Sequence, residues 1–120
     1  MSEEIPFIPE ISLDNLIEIV GDEPEVLKDV LESFLEDAPN LLLSVQEGVL
    51  SRDEKLVERS AHTLKSSSRL FQAEEFASQC ESLEGSARVS DWTAIAEKTP
   101  KLRRNFALLE QLLRSELNKL

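Results

Sequence analysis

His62 is the only imidazole in the 120-residue chain, and Cys80 is the only thiol. A single cysteine cannot close an internal disulfide, and a structural zinc site needs about four ligands, so neither staple fits these residues. Among 24 acidic residues no spacing singles out a carboxylate pair for acid–base work. The sequence has no glycine-rich phosphate loop, dinucleotide fingerprint or nucleophile elbow. The chemistry therefore narrows to one imidazole, which can act as a nucleophile when neutral. Lys65 and Ser66 follow it by about one helical turn and Arg69 by about two.

Charge sets this stretch apart. Residues 1–58 carry a net charge of −13 and residues 59–120 a net charge of +2, for a total of −11. No acid occurs between Arg59 and Ala73, where Arg59, Lys65 and Arg69 are all basic. At about 100° per residue, with Val57 at zero, Ala61, Leu64, Ser68 and Phe71 fall within about 40° and define a buried stripe. His62 lies near 140°, Ser66 near 180°, Arg69 near 120° and Lys65 near 80°. The imidazole faces water inside a basic rim. By geometry alone, an ordinary solvated helix face fits the same pattern.

The elements that hold this stretch read as helical nearly throughout. Residues 1–11, with Pro6 and Pro9, read as an extended leader whose Ile5, Phe7, Ile8 and Ile11 cover a core edge. Ser12 caps a short helix ending at Val20–Gly21. Asp22 caps a long one with Pro24 in its first turn. Its apolar positions are Val26, Leu27, Val30, Phe34 and Leu35, continued by Leu41, Leu42, Val45, Val49 and Leu50, with a kink or break at Pro39. Asp53 caps the His62 helix, which runs to about Phe71. After a break near Gln72, a further helix spans about Ala73 to Ala87. Ser90 or Asp91 opens the last, with Trp92, Ile95, Ala96, Leu102, Phe106, Leu109, Leu113 and Leu117 on one side and a bend or split at Thr99–Pro100. The expected fold is all-α: an antiparallel four-helix bundle over residues 12–120, with a short extra N-terminal helix.

Composition removes other functions. Three Gly, five Pro and no Tyr suit neither an all-β domain nor an aromatic recognition surface. So acidic a chain repels phosphate backbones and anionic membranes, which excludes general nucleic-acid binding. No run of eighteen apolar residues and no signal-peptide pattern occurs, so a cytoplasmic monomer is expected.

Ala61-His62-Thr63-Leu64-Lys65-Ser66-Ser67-Ser68 resembles the signature of histidine-containing phosphotransfer (HPt) domains, A-H-x-L-K-G-[SA]-[SA]. A hydrophobic stretch and a C-x-x-L-E helix usually follow it. Leu70, Phe71, Ala73, Phe76, Cys80, Leu83 and Glu84 supply these in step, and Arg88 falls where many members carry a base. Ser66 departs from the usual glycine, adding bulk and a hydroxyl beside the nucleophile.

The resemblance implies a phosphorelay carrier that takes a phosphoryl group on His62 from a receiver-domain aspartate and passes it to another. It makes Lys65 the residue that stabilises phosphoryl charge. Ser66, Arg69, Glu84 and Arg88 become a receiver-facing rim, with Glu84 placed to orient the imidazole. The implied partners are response-regulator receiver domains and a hybrid sensor kinase. No cofactor or metal belongs to this chain, Mg2+ being expected on the receiver. Two other readings remain: the phosphoacceptor domain of a chemotaxis-type kinase, and a docking module that holds a receiver without exchange.

Overall fold

The α-helices of the computed structural model, which describes residues 6–120, are α1 (Asp14–Val20), α2 (Pro24–Ser51), α3 (Glu54–Arg69), α4 (Glu74–Arg88) and α5 (Trp92–Lys119). No strand occurs among the described residues. Each long helix packs on its neighbour in sequence, and α5 returns against α2 to close an antiparallel four-helix bundle. The short α1 lies against α2.

The connections follow local chemistry. Ser12 Oγ accepts from the Asp14 amide at 3.2 Å, and Gly21, at φ 90°, ends α1 in a conformation that favours glycine. Glu23, not Asp22, occupies the cap position of α2, and it makes no side-chain cap bond. Pro24 forces the preceding residue into extended geometry, which fixes the boundary there. Asp53 and Asp91 cap α3 and α5 through the Leu56 and Ala94 amides, each at 3.1 Å. The α2–α3 turn closes through Arg52 at φ 58°, whose guanidinium stacks 5.1 Å from the Trp92 ring.

Neither internal proline interrupts its helix: α2 runs through Pro39 and α5 through Pro100. A helical proline costs about 3 kcal/mol. Burial of Leu35, Ala38, Leu42 and Val45 on both sides of Pro39 outweighs that, at about 1.5–3 kcal/mol for each large side chain. Helix α3 ends at Arg69 rather than near Phe71, because Leu70 to Gln72 form the turn, with Gln72 at φ 54°.

The core gathers the inward stripes of α2 to α5. Phe34, Phe71, Phe76 and Phe106 form a chain of ring contacts at 5.1, 6.2 and 5.8 Å that joins all four long helices near their α3–α4 end. Three expected core positions lie outside: Leu50 is 81% exposed, Ile8 is 65% exposed, and Ala96 faces solvent. Leu50 follows Val49 by about 100°, past the edge of the stripe. Phe7 and Ile11 do pack on the core; Ile5 lies outside the described residues.

Candidate functional site

Val57, Ala61 and Leu64 are fully buried, which turns the next residue after Ala61 outward. The His62 side chain is 57% exposed. Small residues at the α3–α4 seam, Ser60, Ala61 and Ser68 against Ala77 and Ala87, are all buried and let the two helices approach closely. Ser68 Oγ is satisfied by the Leu64 carbonyl at 2.6 Å. On α4, Leu83 enters the core and Glu84 follows it into the seam, where its side chain is 6% exposed.

Three side chains converge on that carboxylate. Glu84 Oε2 lies 2.7 Å from His62 Nδ1 and 3.2 Å from Arg88 Nη2. Its Oε1 accepts from Lys65 Nζ at 2.7 Å. Burial pushes the Glu84 carboxyl up, but hydrogen bonds and charge from Lys65 and His62 outweigh it and hold the group below its ordinary value of 4.5. An ionised carboxylate only accepts, so Nδ1 carries the proton and Nε2 keeps its lone pair in the neutral ring. Arg88 Nε also reaches Glu58 Oε1 at 3.4 Å. Glu58, Arg59, His62, Thr63, Glu84 and Arg88 line an open recess of about 390 Å³. The Thr63 hydroxyl turns back to the Arg59 carbonyl at 3.1 Å.

The structure thus gathers His62, Lys65, Glu84 and Arg88 into one cluster. Lys65 is only 15% exposed and is held by Glu84, rather than standing in water. Ser66 is exposed one turn from His62. Arg69 is separate from the cluster, paired with Glu74 at 3.5 Å and Glu81 at 3.2 Å on α4. Sequence reasoning missed Glu58. Its signal was its place one turn before His62 on the same face, at about 100° on the same wheel.

A buried carboxylate positioning one exposed imidazole beside two cations provides a nucleophile and charge for an anionic group, without a binding pocket for a small substrate. The family profile of the Hpt domain matches residues 29–120. The chain belongs to the Hpt family. It also resembles the crystal structure of histidine-containing phosphotransfer protein B (HptB) from Pseudomonas aeruginosa PAO1, with 26% identity and a TM-score of 0.81. That likeness covers 90% of this chain and 91% of the other. No curated protein matches the sequence significantly. As an Hpt domain, the chain is a histidine phosphotransfer carrier of phosphorelays, and the domains it exchanges with are receivers. Hpt proteins are carriers rather than enzymes of the usual kind. Among the described residues, no helix is long and apolar enough to cross a membrane.

Proposed function

We propose that His62 is the phosphoacceptor and that Nε2 is the attacking atom. The lone pair of Nε2 forms a bond to phosphorus as the bond to a receiver aspartyl oxygen breaks. The aspartate leaves as a carboxylate, keeping the electron pair. The Nδ1 proton stays in place, so the phosphorylated ring carries positive charge, which the Glu84 carboxylate stabilises. The return step to a second receiver reverses this sequence. Lys65 and Arg88 supply positive charge to the phosphoryl oxygens, where stabilisation lowers the barrier most. Ser66 and Arg69 belong to the surrounding rim that meets the receiver.

The observation that carries this reading is the 2.7 Å contact from Glu84 to Nδ1 of a ring that is itself exposed. The chain is assigned no nucleotide site and no kinase activity of its own, Mg2+ is assigned to the receiver, and a hybrid sensor kinase is the assigned origin of the phosphoryl group. The protein is read as a cytoplasmic monomer. Label transfer from a phosphorylated receiver tests the assignment. His62→Gln should abolish acid-labile labelling while changing stability by no more than about 1 kcal/mol. Mg-ATP alone should leave the purified protein unlabelled. A variant that still accepts label, or a wild-type chain that labels itself from ATP, refutes it.

A further inference from the structure

Two charge environments flank the exposed face of α3. On the α4 side every acid near His62 is neutralised: Glu84 by Lys65 and Arg88, Glu58 by Arg88, and Glu74 and Glu81 by Arg69. On the α2 side lies a groove of about 300 Å³. Val30, Phe34, Leu41 and Leu70 line it, and Asp29 and Asp37 stand on its rim. Among the described residues neither aspartate forms an ion pair, and Asp37 accepts only from Ser33 Oγ at 3.4 Å.

The groove is connected to the imidazole by a row of exposed residues. His62, Ser66 and Leu70 follow one another at i, i+4 and i+8 on α3, and all three are exposed. Eight residues of helix place Leu70 about 12 Å along the axis from His62. A stable protein partner covers about 800 Å² on each side, a disc of roughly 16 Å radius. A folded domain centred on His62 therefore reaches the groove.

We propose that the groove between α2 and α3 is the specificity contact for the phosphoryl partner. The partner inserts an apolar ridge flanked by basic side chains between Asp29 and Asp37, while its anionic phosphoryl site meets the cationic side at His62. The opposed charges fix the partner's orientation on the face and select among receivers by the charge beside their apolar ridge. The proposal rests on the phosphoacceptor reading above and adds where selection occurs.

The test uses the full chain and a panel of receiver domains from the source organism, keeping those that transfer label to wild type. The variant is Asp29→Asn with Asp37→Asn; both positions are exposed, so folding tolerates the change. At low salt the half-saturating receiver concentration should rise about ten-fold, the rate at saturation should stay unchanged, and the difference should fade at high salt. Labelling by phosphoramidate, a donor too small to reach the groove, should match wild type. Receivers that label both proteins with the same concentration dependence overturn the proposal and leave the phosphoacceptor reading intact. Failure of every receiver to label wild type overturns that reading, and the proposal with it. Sedimentation of the wild-type chain should show a monomer. A dimer dispersed by Leu70→Asp would give the groove to a second copy and overturn the proposal.

Discussion

Glu84 holds an imidazole, an ammonium and a guanidinium with its two oxygens, so its charge sets the electrostatics of the cluster. Glu84→Gln keeps the shape but strands the mostly buried Lys65 ammonium. It should cost about 1–3 kcal/mol in urea unfolding and slow phosphoryl acceptance about ten-fold. Its carboxyl is depressed in the folded state. The stability it contributes is therefore present above the ordinary value of 4.5 and is lost as pH falls through the lower folded value. Thermal scans between neutral and acidic pH should show a smaller loss for the variant than for wild type; equal losses refute the linkage. Lys65→Ala should also lower stability, by about 1–2 kcal/mol, because its partner is buried. A solvated lysine, as the sequence alone suggests, would contribute only about 0–1 kcal/mol. The outward face of His62 was legible because Ala61 and Leu64 bracket it in the buried stripe. The grip of Glu84 on Lys65 and the Glu58–Arg88 pair were not. Each depends on the rotation of α4 against α3, which the periodicity of one helix does not contain.

At the scale of elements, two glycines give opposite predictions. A Cβ on Gly48 would lie 2.7 Å from Val57 Cγ2 and 3.1 Å from both the Asp53 carbonyl oxygen and the Val57 amide. Two of those neighbours are backbone at the start of α3, so the helices must part. Gly48→Ala should destabilise the bundle by about 1–3 kcal/mol despite its better helix propensity. Around Gly85 nothing lies within 4 Å of such a Cβ, so Gly85→Ala should stabilise by up to about 1 kcal/mol. Thermal unfolding of the pair checks the signs, and a neutral Gly48→Ala contradicts the close approach. Helix starts at Asp53 and Asp91 were readable because a capping side chain marks each. The start of α2 was misplaced by one residue, since the constraint Pro24 puts on Glu23 replaces a capping side chain. Pro39 and Pro100 misled in a different way: local propensity forecast breaks that burial on both sides of each residue overrides.

For the molecule as a whole, one reactive side chain faces outward. Cys80, the only thiol, is fully buried, and burial pushes it up to about 12, so it stays protonated and inert. The overall charge of −11 gains roughly two negative charges on phosphorylation, which makes the local cations at Lys65 and Arg88 matter more. The acid-free stretch around His62 was visible in the sequence. The two-sided charge pattern was not, because Asp29 and Asp37 reach that face only when α2 packs on α3. The central claim is that Glu84 holds the Nδ1 proton and leaves Nε2 to take the phosphoryl group. Heteronuclear NMR of the chain, labelled at its single histidine and phosphorylated by a receiver, reads the bonded nitrogen directly. The account predicts phosphorus on Nε2 with Nδ1 still protonated. Phosphorus on Nδ1, or on any residue other than His62, contradicts it.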